Sequence, residues 1–149
     1  MSRALKLLIA VAALVLLSAC ASGPKYAEVA ASFPQIPAGQ GRIWFYRSGT
    51  MFGAGIQPSV MLDGTKVGES SPGGFFYVDR PAGDHEVLLS TEVDRKVSFT
   101  LEPRQERYIR MTVGLGVIVY RVFPELADPV EARKELLELS YTGAAAKPK

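Results

Sequence analysis

The sequence predicts a mainly β domain: an antiparallel β-sandwich or small open barrel of about six to eight short strands, with one C-terminal α-helix. Two observations indicate this fold. Short runs rich in aromatic and β-branched residues recur between positions 42 and 123, and turn residues separate them. One amphipathic run with a typical helix start follows, at 128–139.

Each predicted strand is bounded by turn residues. The first, RIWFYR at 42–47, is dense in aromatic and β-branched residues and is followed by Ser48-Gly49. Asp63-Gly64 is a strong hairpin dipeptide between the runs at 60–62 and 66–68. Residues 81–84, PAGD, predict a turn, and the run at 96–101 alternates apolar with polar residues. The other predicted strands lie at 75–78, 85–91, 108–113 and 117–123.

The predicted helix begins at Asp128, a good N-cap residue. Pro129 occupies the first turn, and Glu131 lies three residues after the cap. Ala132, Leu136 and Leu139 fall on one helix face. We interpret this helix as packed on the sheet, with a partner-binding helix as the alternative.

Residues 1–19 predict a signal peptide. The segment 1–20 reads MSRALKLLIAVAALVLLSAC, with a basic start and an apolar core at 7–17 that is shorter than the ~20 residues needed to span a bilayer. Positions 17–20, LSAC, resemble the lipobox of bacterial lipoproteins, which implies cleavage between Ala19 and Cys20. The resemblance also implies a diacylglyceryl group on the Cys20 sulfur and a third acyl chain, such as palmitate, on the new N-terminus. An uncleaved anchor helix or an ordinary secretory peptide are the alternatives.

The residue after the cysteine is Ala21 rather than aspartate. Resemblance to the sorting rule of Gram-negative lipoproteins then implies the outer membrane, with the domain facing the periplasm. Cys20 is the sole cysteine, so the chain cannot form an internal disulfide.

Charge argues against a nucleic-acid partner. The chain has 17 Lys and Arg against 15 Asp and Glu, and Arg3 and Lys6 leave with the signal peptide. The mature protein is therefore near neutral and has no electrostatic attraction for polyanions. The expected partners are the membrane, through the lipid anchor, and an envelope protein.

The chain divides into four segments, of which the signal peptide is the first. After the signal peptide, residues 20–41 are the lipidated N-terminus and a tether rich in Ala, Ser, Pro and Gly. About 20 flexible residues would reach roughly 25 Å. Tyr26, Val29, Phe33 and Ile36 are unusual for a free linker, so docking of this segment as an arm stays open. Residues 42–141 form the β-sandwich domain with its helix, and 142–149 a disordered tail.

The sequence predicts neither an enzyme nor a cofactor or metal site. His85 is the single histidine, follows a turn, and is interpreted as a structural residue rather than a catalytic base. One histidine and a lipidated cysteine are too few ligands for a transition-metal site. Carboxylate pairs such as Asp63 with Glu69, or Asp79 with Glu86, could meet in space, but nothing in their spacing requires it.

Two apolar segments keep a binding function open. Residues 48–58, SGTMFGAGIQP, predict a glycine-rich loop whose candidate binding residues are Met51 and Phe52. Folding of these two side chains back onto the core is the alternative that we prefer. Residues 113–123, VGLGVIVYRVF, fit a lipid-touching hairpin or, as we prefer, a buried central strand.

The order of these runs resembles a family of small bacterial lipoproteins known as a domain of unknown function, and is also similar to the PEGA-type β-sandwich repeats. The residues that carry the resemblance are GRIWFYR at 41–47, VMLDG at 60–64 with Val67-Gly68, Phe75-Phe76, and PAGDHEV at 81–87. Such motifs specify a fold and no chemistry. We therefore expect a non-enzymatic, membrane-tethered interaction or structural module of the envelope. A carrier of a small or lipidic ligand is the alternative, and a hydrolase using His85 is a third.

Overall fold

The computed structural model describes residues 21–117 and 120–143. The predicted signal peptide, Cys20 and most of the predicted tail lie outside this range. The described chain contains a short helix α1 (Tyr26–Val29), a 3-10 turn (Ala30–Ser32) and a second helix α2 (Pro129–Leu136). Its strands are β1 (Gln40–Tyr46), β2 (Ser59–Leu62), β3 (Thr65–Glu69), β4 (Gly74–Pro81), β5 (Gly83–Ser90), β6 (Asp94–Leu101), β7 (Glu106–Leu115), β8 (Tyr120–Leu126) and β9 (Ser140–Tyr141).

The strands form two sheets, which confirms the mainly β fold. A five-stranded sheet has the order β8-β7-β1-β4-β9, a four-stranded sheet has the order β3-β2-β5-β6, and no closed barrel forms. Two neighbouring pairs, β1 with β7 and β4 with β9, run parallel, whereas the other pairs are antiparallel. Within the described residues, no helix is long and apolar enough to cross a membrane.

Several predicted turns and the helix start are confirmed at residue level. Asp63 (φ 50°) and Gly64 (φ 78°) both adopt positive φ in the β2–β3 hairpin, as a type I′ turn requires. The turn predicted at 81–84 is tighter, because β4 continues to Pro81 and β5 begins at Gly83. Asp128 caps α2 by accepting the amide hydrogens of residues 130 and 131 at 2.9 and 3.2 Å.

The main core lies between the two sheets. Phe45 of β1 stacks on Phe76 of β4 with 4.9 Å between ring centroids. Aliphatic residues from both sheets surround this pair: Ile43, Val60, Leu62, Val87, Leu89, Leu101, Ile109, Met111 and Val122, with Phe99. Large rings and branched side chains therefore fill the interior of the sandwich.

A second core covers the outer face of the five-stranded sheet. Trp44, Tyr46, Phe75 and Tyr108 project from that face and pack beneath α2 and the N-terminal segment. The helix contributes the buried face predicted from its sequence, Ala132 and Leu136, followed by Leu139. Burial raises the pKa of both Tyr46 and Tyr108 to about 12. The helix is thus packed on the sheet, as preferred above.

Residues 21–36, which we call the N-terminal arm, lie along this second core. The Phe33 ring packs on Trp44 and Tyr77 with centroid distances of 5.4 and 5.1 Å. Backbone hydrogen bonds join Tyr26 N–H to the Leu139 carbonyl (3.1 Å) and the Tyr141 N–H to residue 24 (2.8 Å). The docked arrangement, left open by the sequence, is the one that this segment adopts.

A buried ion pair holds the C-terminal end of the N-terminal arm. The Arg42 guanidinium binds Asp79 in bidentate fashion, with N–O distances of 2.7 and 2.9 Å, and also donates to the Pro34 carbonyl at 2.9 Å. It lies 4.0 Å from the ring centroid of Tyr77. A buried cation therefore connects the end of the arm to the sheet.

Candidate functional site

One end of the sandwich gathers several loops. β1 runs toward this end and finishes at Tyr46, which lies opposite Phe75 near the start of β4 and opposite Arg110 in β7. The loop 48–58 follows β1 there, and β2 leads away from it. β7 continues five residues past its last pairing with β1, which is about 16 Å of strand at ~3.3 Å per residue.

The four most exposed large hydrophobic side chains of the described chain lie at this end. They are Met51 (80% exposed), Phe52 (67%), Leu115 (84%) and Val117 (86%). We call the surface formed by these four residues the apolar end. The preferred expectation that Met51 and Phe52 fold back onto the core is therefore wrong.

The expectation of a buried central strand at 113–123 is also wrong. Of this segment, residues 113–115 end β7 and residues 120–123 begin β8; the two strands pair as an antiparallel hairpin, and β8 is an edge strand. Val122 is buried in the main core, but Leu115 and Val117 lie beyond the last pairing of β7 with β1, and their side chains are exposed. The segment therefore belongs to a hairpin, as in the alternative, and contact of this hairpin with lipid stays a prediction.

The loop 48–58 is held by Arg47, whose side chain is completely buried. Its guanidinium donates to three backbone carbonyls: Gly53 at 2.7 Å, Ile56 at 2.6 Å and Ser70 at 2.9 Å. Burial lowers the pKa of this guanidinium. The cation is solvated by the loop backbone, so it fixes the loop conformation that exposes the two apolar side chains.

The same loop packs against the hairpin. Gly53 has φ 65°, and a Cβ at this position would meet the Val113 side chain at 2.8 Å, so the close approach requires glycine. The Phe52 ring lies edge-on to Tyr120, with 6.1 Å between centroids. The two apolar segments singled out in the sequence therefore form one surface.

A groove of about 440 Å³ runs between them. Ser48, Thr50 and Phe52 line one side, and residues 110–115 with Tyr120 line the other. The groove is open to solvent at the apolar end, so it adds concave apolar area to the exposed side chains.

The hairpin tip is fixed to the turn between β5 and β6. Arg121 pairs with Glu92 at 2.8 Å, and the same carboxylate accepts the Val117 amide hydrogen at 3.3 Å. Arg121 and Glu92 thus neutralise each other, and Leu115 and Val117 beside this pair are apolar and exposed.

The first described residue, Ala21, lies at the same end. Its N–H donates to the carbonyl of Pro72 at 3.0 Å, in the turn that precedes β4. The next residue of that turn, Gly73, approaches Gly49 closely enough that a Cβ on Gly73 would lie 3.5 Å from the Gly49 Cα. The first residue of the N-terminal arm therefore lies near the start of the loop 48–58.

The single histidine lies elsewhere, at the β2–β3 turn. His85 Nδ1 is 2.7 Å from Asp63 Oδ2, and Nε2 is 2.9 Å from the Pro81 carbonyl. Each ring nitrogen therefore contacts an acceptor oxygen of a neighbouring turn, and these contacts hold the side chain in a structural role. A general base would need one nitrogen directed at a nucleophile.

The carboxylates considered as pairs are held by cations instead. Asp79 pairs with Arg42, Glu86 with Lys96 at 2.8 Å, and Glu69 with Lys66 at 2.8 Å. Across residues 21–117 and 120–143, no group of three or more His, Cys, Asp or Glu side chains could hold a metal ion.

The sequence indicates both segments of the apolar end but not their contact. Residues 48–58 and 113–123 are far apart in sequence, and nothing local indicates that they meet. Arg47, the residue that organises the loop, is the last residue of a predicted strand, and the strand pattern gives it no role in the loop. An arginine directly before a glycine-rich loop with many carbonyls is the signal that could have drawn attention to it.

Comparison with known proteins identifies the group to which the chain is related. Residues 37–122, more than half of the chain, match the family described as "Protein of unknown function (DUF2846)". The chain belongs to this family. The matched residues extend from the end of the arm to β8, so they include the loop 48–58 and the tip of the β7–β8 hairpin.

An uncharacterized protein of Haemophilus influenzae is 27% identical over 131 residues, which is 85% of this chain and 77% of that protein. No solved structure matches the chain. The DUF2846 assignment names the family without an activity.

Proposed function

We propose that this DUF2846 protein is a non-enzymatic interaction module of the bacterial envelope, anchored by lipid on Cys20. The observation that carries the proposal is the apolar end, where four highly exposed hydrophobic side chains from two distant segments form one surface. Monomeric soluble proteins rarely expose large contiguous apolar patches without a binding role.

The anchor is proposed from the N-terminal sequence. The segment LSAC resembles a lipobox, and the chain holds no second cysteine that could pair with Cys20. Ala21, in the place where aspartate would favour the inner membrane, supports an outer-membrane location with the domain facing the periplasm. We further propose that the sandwich is a PEGA-like module, which the two face-to-face sheets support.

Ligand carriage is a second candidate function, favoured by the open groove of about 440 Å³ beside the apolar end. The rings of Phe45 and Phe76 occupy the space between the sheets, so a carried ligand would have to lie in this groove rather than inside the sandwich. Engagement of both nitrogens of His85 argues against a hydrolase.

Lipidation is tested with a Cys20→Ser variant. We expect this variant to accumulate as an unprocessed precursor that incorporates no labelled palmitate, because the hydroxyl cannot accept the diacylglyceryl group that precedes cleavage. Normal processing and labelling of the variant would contradict the anchor. An Ala21→Asp variant should move the protein to the inner-membrane fraction if the proposed sorting holds.

The interaction role is tested in intact cells with a photoreactive amino acid in place of Phe52. The matched control carries the same group in place of Val130, which is exposed in the first turn of α2 and does not line the groove. We expect a discrete adduct, protein or lipid, from position 52 and none from position 130. Equal, diffuse labelling from both positions would contradict a specific interaction surface.

A further inference from the structure

We infer that the apolar end binds the surface of the lipid bilayer itself, so that the domain rests on the membrane rather than hanging from it. This inference rests on the proposed lipidation of Cys20. It adds a second membrane contact, made by Met51, Phe52, Leu115 and Val117, that no resemblance of this chain implies.

The position of the anchor supports this assignment. Cys20 is bonded to Ala21, and consecutive Cα atoms lie about 3.8 Å apart. Ala21 is hydrogen-bonded at 3.0 Å to Pro72, in the turn that contacts the start of the loop 48–58. Acyl chains on Cys20 would therefore enter the bilayer at the end of the domain from which the apolar side chains project.

Docking of the N-terminal arm makes this geometry rigid. A free tether of about 20 residues would let the domain lie roughly 25 Å from the membrane in any orientation. Here the arm is held by the packing of Phe33 on Trp44 and by the hydrogen bond from Arg42 to Pro34. Because Cys20 is bonded directly to Ala21 of this docked arm, its acyl chains would lie close to the domain. The apolar end therefore faces the bilayer.

The distribution of exposed residues fits a lipid surface. Phe52 and Leu115 can enter the boundary between headgroups and acyl chains, as the apolar faces of interfacial proteins do to a depth of about 5–10 Å. The neighbouring ion pair of Arg121 with Glu92 adds no net charge. The apolar side chains should therefore bind neutral bilayers as well as anionic ones. Among the described residues, the turns at the opposite end, 63–64, 81–83 and 102–105, hold none of the exposed large hydrophobic side chains.

The test uses the full-length lipidated protein reconstituted into vesicles of phosphatidylcholine, and in parallel of phosphatidylcholine with phosphatidylglycerol. An environment-sensitive fluorophore is attached at Phe52→Cys or Leu115→Cys. Acylation of Cys20 leaves the introduced cysteine as the one free thiol. The control is Glu102→Cys, at an exposed position of the turn between β6 and β7, at the opposite end of the sandwich.

We expect blue-shifted emission and quenching by nitroxide-labelled lipids at positions 52 and 115 in both vesicle types, and aqueous emission at 102. Adding Met51→Ser and Val117→Ser should return the label at 52 toward its aqueous emission. Aqueous emission at 52 and 115 would overturn the membrane contact. Mass spectrometry of the same sample separates the two failures, because a protein without acyl chains contradicts the proposed anchor instead.

Discussion

Arg47 determines the shape of the apolar end. Its guanidinium is completely buried and is bound by carbonyls rather than by a carboxylate: Gly53 and Ile56 in the loop and Ser70 beside it. A guanidinium stays protonated in proteins, so the buried charge must be solvated by these oxygens. The loop and the arginine therefore stabilise each other.

Replacing Arg47 with lysine should lower the free energy of unfolding by about 2–3 kcal/mol, because an ammonium cannot reach the same separated carbonyls with several nitrogens. Denaturant unfolding measures the change, and hydrogen exchange of residues 48–58 should accelerate. Arg95→Lys, at an exposed position of β6, is the control and should change stability by less than about 0.5 kcal/mol. Equal effects of the two substitutions would contradict the role assigned to Arg47.

The carboxyl of Asp63, in the β2–β3 turn, has a lower pKa in the folded protein than its ordinary value. Burial alone would raise the pKa of its carboxyl, but hydrogen bonds from the Glu86 amide (2.9 Å) and from His85 (2.7 Å) outweigh burial and lower it. A carboxyl whose pKa is lower in the folded state stabilises the fold above its ordinary pKa. That stabilisation is lost as the pH falls through the folded-state pKa.

Asp63→Asn should therefore destabilise the protein at neutral pH. The difference should shrink as the pH falls from about 4 toward the lowered folded-state pKa, below which the wild-type carboxyl is also neutral. Asparagine tolerates the positive φ of this position, so the substitution isolates the charge. The measurement is the free energy of unfolding of both proteins between pH 3 and pH 7, values chosen to bracket the ordinary carboxyl pKa of about 3.9. A pH-independent difference would contradict the assigned role of the carboxylate.

Among the elements, the N-terminal arm departs most from a sequence-based expectation. Its composition, rich in Ala, Ser, Pro and Gly, is that of a linker, yet it contains the helix α1 and docks through Tyr26 and Phe33. β1 is the reason. Its run of consecutive aromatic residues alternates Phe45 toward the main core with Trp44 and Tyr46 toward the second core. Both faces of β1 must be covered, and the arm and α2 cover the outer face.

Phe33→Ala should lower the free energy of unfolding by about 2 kcal/mol, less than the ~3–5 kcal/mol of a fully buried phenylalanine because this ring is only half-buried. Limited proteolysis should then cleave within residues 21–36. Gln35→Ala, two residues away and exposed, is the control and should leave both readouts unchanged. A silent Phe33→Ala would indicate that the arm behaves as a free tether.

At the scale of the whole molecule, the fold class followed from local signals, whereas the candidate surface did not. Turn dipeptides such as Asp63-Gly64 and the cap at Asp128 act within a few residues, so the sequence alone predicts them. The apolar end depends on pairing between distant segments. Neither the parallel pairing of β1 with β7 nor the approach of Gly53 to Val113 has a local signature, and together they leave Leu115 and Val117 uncovered.

We propose that the docked arm holds the N-terminus, with its proposed lipid, beside the apolar end. The most direct test is a distance measurement by double electron–electron resonance in the full-length lipidated protein, with spin labels at Ser22→Cys and Phe52→Cys. A second pair, Ser22→Cys with Glu102→Cys, spans the sandwich to its opposite end. We predict one narrow, short distance for the first pair and a narrow, longer distance for the second. Broad, overlapping distributions for both pairs, as expected of a flexible tether with a reach of roughly 25 Å, would contradict the account.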